Sequence, residues 1–303
     1  MRAFALFFGV MVAALAAIAV FTYPAWLLLH PHFDFPFHRI GERIAMLVGL
    51  VGFLILAPRM QLGDRVSLGY GIPRRAFARA FLVALGVGVL TMAAIVCVMA
   101  ALGLRDWHKA ASLDGVHLAK LIAQSLVSGL AVALIEETAL RGIIFTGIQR
   151  ESGTAVAVVL SSLIFAATHF FAKHHIEASQ VTPSSGWDLL AGTLHSFAAP
   201  LAIADAFLTY FAVGVILAAI RSSTGHIAAC MGLHAGWVWV MLTVTGTSEA
   251  VRDRPLSGLL SQTDGFVGWL VLAWCVVIGV PLVRFFSRPR NAAVARPNPP
   301  RAG

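Results

Sequence analysis

The sequence predicts an all-α, polytopic membrane protein with about eight transmembrane helices. Of its 303 residues, 59% are hydrophobic and only 12% are charged, an apolar share well above that of soluble globular domains. A chain of this length has too few polar residues to cover a soluble surface. Apolar stretches also recur along the whole chain, and about 20 such residues suffice to cross a bilayer.

Eight apolar stretches define the predicted spans. They are Phe4–Leu29, Ala45–Ala57, Ala78–Leu102, Leu118–Leu140, Ala155–Phe171, Leu201–Ile220, Ile227–Val244 and Gly265–Phe286. The second stretch is short and can extend backward through Ile40. The first resembles a secretory signal peptide, but its apolar region is much longer than the ~7–15 residues of a signal h-region. We therefore expect it to be a retained helix.

Basic residues in the loops predict the orientation. Residues 59–79 contain five arginines against Asp64 alone, and four more arginines follow the last span. Positively charged loops remain in the cytoplasm. With eight spans, both termini and the loops after spans two, four and six are then cytoplasmic, and these are the basic loops. We expect an integral protein of the bacterial inner membrane. The scattered charges, without interleaved aromatic residues, argue against nucleic-acid binding.

The chain is predicted to form one membrane domain, residues 1–286. The tail 287–303 is basic and rich in proline, and its composition predicts disorder. The longest connection, Ala172–Pro200, is expected to contain one short helix around Trp187–Leu194. The three cysteines fall inside spans without C-x-x-C spacing, which indicates packing residues rather than disulfides or a thiolate metal site. They are Cys97, Cys230 and Cys275.

Charged residues interrupt the fourth span near its end, in the sequence EETALR from Glu136 to Arg141. A charge at the bilayer centre costs at least ~2.5–3.5 kcal/mol, so these side chains must pair or face a wet cavity. On an α-helix Glu137 and Arg141 share a face and can form an ion pair. Glu136 points away from that face. It is then placed to act as a general base near neutral pH, unless all three side chains only brace the bundle.

Two histidines inside later spans favour chemistry over bracing. His169 lies in FAATH, deep in span five, and spans four and five form a hairpin that turns near Glu151–Gly153. Counted from that turn, Glu136 and His169 lie at nearly the same depth. His234 lies in GLHAG, whose two glycines are spaced so that another helix can approach closely.

A glutamate with two histidines suggests water activation at a carbonyl. Glu136 would take a proton from water, His169 would hold that water, and His234 would donate to the developing oxyanion. A zinc site is the alternative, since two histidines and a glutamate form a catalytic zinc shell. The sequence lacks H-E-x-x-H and would draw its ligands from three helices. We therefore favour a reaction without a metal or other cofactor.

The motif order E-E-x-x-x-R, F-x-x-x-H and a histidine in a late span resembles the CAAX-protease and bacteriocin-processing family, also called CPBP or Abi. The resemblance covers residues 118–244 and implies the core bundle of an intramembrane glutamic endopeptidase that cleaves a peptide or protein substrate. It implies that Glu136 is the base, that His169 co-orients the water and that His234 helps form the oxyanion site. Supporting motif positions are matched by Glu137, Arg141 and Phe165.

One position departs from the family pattern, which often has H-x-x-x-N in its third motif. Val238 occupies the asparagine position, and loss of one oxyanion donor can cost about 10²–10³ in rate. Either the indole of Trp237 or Trp239 or a backbone amide substitutes, or activity is low, or the protein is a non-catalytic peptide-binding or immunity protein of the same fold. A proton-coupled transporter is a third possibility, but the sequence shows no inverted repeat or paired broken helices.

Overall fold

The computed structural model describes residues 2–33, 35–171 and 174–288. The predicted disordered tail lies outside the described residues, except for its first two positions. The elements follow in chain order as α1 (Arg2–Leu29), α2 (Phe37–Arg59), α3 (Arg74–Ala101), β1 (Arg105–Asp106), α4 (His108–Ser112), α5 (Gly115–Glu137), a π-helix (Thr138–Ile144), α6 (Phe145–Ser152), α7 (Thr154–Thr168), a 3₁₀ turn (Ala178–Gln180), α8 (Ser185–Ala198), α9 (Pro200–Thr224), α10 (Ala228–Thr247), β2 (Glu249–Ala250), a second 3₁₀ turn (Ser257–Leu259) and α11 (Trp269–Ser287).

Within the described residues, seven helices are long and apolar enough to cross a membrane. They are α1, α2, α3, the continuous unit α5–π–α6, α9, α10 and α11. The fifth predicted span corresponds to α7, which is apolar but has only 15 residues. At 1.5 Å per residue it is about 22 Å long, shorter than the ~30 Å hydrocarbon core. The chain is an all-α, polytopic, integral membrane protein, as predicted.

Helix α10 lies between α3 and α5 and is the most enclosed of the spans. Its small residues explain this position. A Cβ added to Gly236 would lie 2.6 Å from the carbonyl oxygen of Leu85 in α3. A Cβ added to Gly129 of α5 would lie 2.9 Å from the carbonyl oxygen of Ala235. The close approach predicted from the GLHAG sequence is confirmed, and α3 is the helix that makes it.

The remaining helices pair around this centre. Helix α7 packs on α9, α9 packs on α11, and α1 packs on both α2 and α8. The hairpin between α6 and α7 turns at Gly153, whose φ of +84° is in the region that favours glycine, so the predicted turn is confirmed. Helix α8 lies where one short helix was predicted in the long connection.

Two short strands join the connections at one end of α3 and α10. β1 and β2 are antiparallel, with Arg105 opposite Ala250. The buried guanidinium of Arg105 donates from Nε to Ser248 Oγ at 3.0 Å and from Nη2 to the Ser248 carbonyl at 2.8 Å. Its Nη1 donates to the Gly265 carbonyl at 2.8 Å. This arginine therefore ties the segment that precedes α11 to the end of α3.

Candidate active site

The π-helix begins directly after the two glutamates, because α5 ends at Glu137 and the π-helix starts at Thr138. Its i→i+5 hydrogen bonds widen the turn, and such π turns occur frequently at functional sites. The α-helical spacing assumed from the sequence therefore ends at Glu137. Arg141 still reaches back to it, with Nη1 3.1 Å from Glu137 Oε1, so the predicted ion pair is present.

Contacts from two other parts of the chain hold the π-helix. The Tyr70 hydroxyl lies 2.6 Å from Thr138 Oγ1 at the start of the π-helix. Arg221 of α9, itself buried, donates from Nε to the carbonyl of Arg141 at 3.1 Å. A Cβ added to Gly142 would lie 3.0 Å from the carbonyl oxygen of Leu68. The widened turn is thus packed against the loop between α2 and α3 as well as against α9.

One half of the site, which we name the enclosed half, consists of Glu137, Arg141 and His234. The side chains of Glu137 and Arg141 are 0% exposed and that of His234 is 5% exposed. Glu137 Oε1 accepts from Arg141 Nη1 and also from His234 Nδ1 at 2.8 Å. A carboxylate only accepts hydrogen bonds from these partners, so Nδ1 of His234 carries a proton. The sequence grouped His234 with Glu136, whereas its direct partner is Glu137.

The other half, named the half-open half, consists of Glu136, His169 and Tyr210, all of which are partly exposed. His169 Nδ1 lies 2.7 Å from the carbonyl oxygen of Phe165. Because a carbonyl only accepts, Nδ1 of His169 carries a proton. The His169 ring stacks on Tyr210 with centroids 4.0 Å apart, and Glu136 interacts electrostatically with Tyr210.

Phe165 lies between the two halves and is 1% exposed. Its ring centroid is 4.5 Å from that of His169 and 5.8 Å from that of His234. The guanidinium carbon of Arg141 lies 4.6 Å from the same ring, within range of a cation–π interaction. The two histidines and the arginine predicted from separate motifs therefore meet around one aromatic ring, which gives Phe165 a direct structural part in the site.

Tyr210 and Asp264 were not predicted as site residues. The Tyr210 hydroxyl donates to Asp264 Oδ2 at 2.8 Å. Tyr210 lies within an apolar span and Asp264 lies in the segment before α11, so neither belongs to a recognisable local pattern. A single tyrosine in the sixth span, in a chain with only three tyrosines, was the one available signal.

The missing family asparagine is not replaced by an indole. Trp237 Nε1 donates to Thr91 Oγ1 at 3.0 Å, and Trp239 Nε1 donates to the Ile122 carbonyl at 3.1 Å. An indole has a single N–H, so both are engaged away from the site. Of the alternatives left open for the asparagine position, these contacts therefore do not support an indole donor.

The zinc alternative depends on three ligands that converge. Across residues 2–33, 35–171 and 174–288, no group of three His, Cys, Asp or Glu side chains is arranged to hold a metal ion. Nδ1 of His169 faces the Phe165 carbonyl and Nδ1 of His234 faces the Glu137 carboxylate.

Comparison with known proteins gives a family match over the middle of the chain. Residues 118–240 match the family described as "Type II CAAX prenyl endopeptidase Rce1-like". The matched segment contains the glutamate pair and both histidines of the site. Neither the curated proteins nor the solved structures gave a match. The resemblance to the CAAX-protease family is confirmed, and this integral membrane protein contains an Rce1-like domain at residues 118–240.

Proposed function

We propose that this protein is a CAAX-protease-type intramembrane endopeptidase in which Glu136 activates water for attack on a peptide bond. The family match supports the endopeptidase class in general. The observation that carries the glutamate assignment is the difference between two adjacent carboxylates. Glu137 is fully buried and bound to Arg141 and His234, whereas Glu136 is partly exposed and interacts electrostatically with Tyr210, whose ring stacks on His169.

Glu136 serves as base and then as acid in this proposal. Its carboxylate takes a proton from water while the water oxygen bonds to the scissile carbonyl carbon, and the carbonyl electron pair moves onto oxygen. When this tetrahedral intermediate collapses, the carbon–nitrogen bond breaks and Glu136 returns the proton to the leaving amine. The products are a carboxylate and an amine, and no acyl-enzyme forms.

His169 orients the attacking water. Its Nδ1–H is directed to the Phe165 carbonyl, so the neutral ring presents Nε2 as an acceptor for one hydrogen of water. A ring fixed in this tautomer accepts one hydrogen of the water and leaves the other directed to Glu136. This role requires the imidazole to stay neutral during attack.

His234 stabilises the developing oxyanion. Its Nδ1–H is committed to Glu137, so donation to an oxyanion requires a second proton, on Nε2. The carboxylate of Glu137 stabilises that imidazolium electrostatically and fixes the plane of the ring. Glu137 therefore acts on the reaction through His234, as a positioning residue.

The setting of the reaction is also proposed. The substrate is a peptide or protein, with a membrane-anchored one as our first candidate, and it meets the site within the bilayer. The arginine-rich loops support a location in the bacterial inner membrane with both termini in the cytoplasm. We propose that residues 1–286 act as a single domain and that neither a metal nor another cofactor takes part.

The test uses purified full-length protein and a library of membrane peptides, half of them prenylated. Wild type should cleave at discrete bonds, and Glu136→Gln should not. Hydroxylamine added during the reaction should yield no hydroxamate, because no acyl-enzyme is formed. Elemental analysis and titration with a chelator should show no stoichiometric zinc and no loss of activity. Undiminished turnover by Glu136→Gln would overturn the glutamate mechanism.

A non-catalytic, peptide-binding protein of the same fold is the second candidate, and Val238 is the observation in its favour. The position lacks a donor, and both neighbouring indoles donate elsewhere. This candidate predicts no cleavage by wild type in the same library, together with binding of a peptide that Glu136→Gln binds equally well.

A further inference from the structure

Tyr210 restrains the orientation of the His169 ring. The hydrogen bond from Nδ1 to the Phe165 carbonyl fixes one edge of the imidazole. The χ2 torsion of histidine has a broad energy profile, so one hydrogen bond leaves the ring plane free to rock. The Tyr210 ring lies 4.0 Å from the His169 ring at an interplanar angle of 26°, which limits that motion.

Asp264 in turn restrains Tyr210. The phenol donates to Asp264 Oδ2 at 2.8 Å, which fixes the far end of the aromatic ring. Asp264 is itself anchored, because its Oδ1 accepts from the backbone N–H groups of Phe266 and Val267 at 2.9 and 3.0 Å. An aspartate that binds the backbone two and three residues onward holds a turn in one conformation.

The Asp264 segment is attached to the rest of the fold by Arg105. Its guanidinium donates to the carbonyl of Gly265, the next residue, at 2.8 Å and lies 5.7 Å from the centre of the Phe266 ring. Arg105 is only 6% exposed. A continuous set of contacts thus runs from β1 through Asp264 and Tyr210 to His169.

We propose that Tyr210 and Asp264 are positioning residues for His169, so that the segment before α11 completes an active site whose other members lie within residues 118–240. The proposal rests on the function proposed above. Asp264 lies outside the matched family segment, so the family match does not supply it. Tyr210 touches His169 but acts through it, by directing Nε2 toward the attacking water.

A purely structural role for the pair predicts a different outcome. Packing alone would make Tyr210 matter for stability and leave the turnover of folded protein unchanged. Positioning predicts a lower kcat with an unchanged KM, since the misplaced group acts on the bound substrate during reaction. It also predicts that Tyr210→Phe and Asp264→Asn have the same effect, because each weakens the same hydrogen bond.

The experiment measures cleavage by Tyr210→Phe, Asp264→Asn and the double variant in purified full-length protein. We expect kcat to fall about tenfold in each single variant with KM within about twofold, since small displacements of catalytic groups are costly. The double variant should match the singles, because the two residues form one coupled unit. Asp253→Asn, an exposed aspartate in the same connection, is the matched control and should equal wild type.

A second measurement does not depend on proteolysis. Diethyl pyrocarbonate labels accessible, unprotonated imidazole nitrogens, and mass spectrometry reports the labelling rate of His169. The rate should rise severalfold in Tyr210→Ala and measurably in Asp264→Asn, and it should not change in Asp253→Asn. If wild type cleaves nothing, the proposed function fails, and the labelling rate alone decides the positioning role. The proposal that Tyr210 and Asp264 position His169 would be overturned if turnover and labelling in their variants match the Asp253→Asn control. It would also be overturned if the effects of the single variants multiply in the double variant.

Discussion

Two adjacent glutamates, one in the enclosed half and one in the half-open half of the site, differ in burial and in their contacts. Glu137 has no exposed surface and shares one oxygen between Arg141 and His234. Glu136, its neighbour in sequence, is partly exposed and interacts electrostatically with Tyr210. A carboxylate without access to solvent or substrate can hold other groups in place but cannot exchange protons with water. Because both residues are glutamates, burial rather than residue type distinguishes the supporting Glu137 from Glu136, the proposed base.

Loss of the base should have the largest effect on activity. Glu136→Gln keeps the shape of the side chain and removes its capacity to take a proton, so kcat should fall by up to about 10⁴-fold. Thermal unfolding in detergent should be close to that of wild type, since Glu136 is not fully buried. Cleavage kinetics beside a thermal-shift assay test both statements. A large loss of stability would show that Glu136, like Glu137, mainly stabilises the fold, which would contradict the difference between the two halves.

Substitution of the other glutamate should act mainly on stability. Glu137→Gln leaves the Arg141 charge buried without its counter-ion, which should lower the free energy of unfolding by about 3–5 kcal/mol. Unfolding in a denaturing detergent titration measures this change.

The matched control for that substitution removes both charges. Glu137→Gln combined with Arg141→Met should recover most of the lost stability, because replacement of a whole buried pair is often neutral. Recovered stability without recovered cleavage would sharpen the comparison, since His234 would still lack its carboxylate partner. Stability that remains low in the double variant would show that the ion pair is not the cause.

Restoration of the family donor should produce a smaller change, in the opposite direction. Val238→Asn places an amide one helical turn after His234, and cleavage should rise by up to about 10²-fold if the oxyanion site lacks a donor. Val238→Ala, which offers no donor, is the control. An unchanged rate in Val238→Asn would indicate that a backbone amide already fills this role.

The smallest effect is expected from the two indoles. Trp237→Phe and Trp239→Phe remove N–H groups that donate to Thr91 and Ile122. Each should lower the stability by the net contribution of a typical hydrogen bond, about 0.5–1.5 kcal/mol, in addition to the cost of the smaller ring. Turnover of the folded variants should stay close to that of wild type. A drop in turnover comparable to that of Glu136→Gln would indicate that an indole N–H contributes to the oxyanion site.

Sequence alone was sufficient for features that depend on local composition and spacing. Apolar length predicted the helices, although α7 at 15 residues is shorter than a typical span. The spacing of Glu137 and Arg141 predicted their ion pair, and GLHAG predicted a close helix contact. Motif order predicted the family. Each of these follows from the chain's own periodicity, in which neighbours along a helix stay neighbours in space.

Tertiary structure decided which groups meet across helices. The partner of His234 is Glu137 rather than Glu136, because α10 packs on the face of α5 that carries the buried Glu137. The contact of Asp264 with Tyr210 joins positions 54 residues apart. No local pattern encodes such a pair, since it depends on how separate helices pack. The sequence determined most of the candidate site residues, whereas the packing of α10 on α5, and of α7 and α9 on the π-helix, decided which of them are in contact.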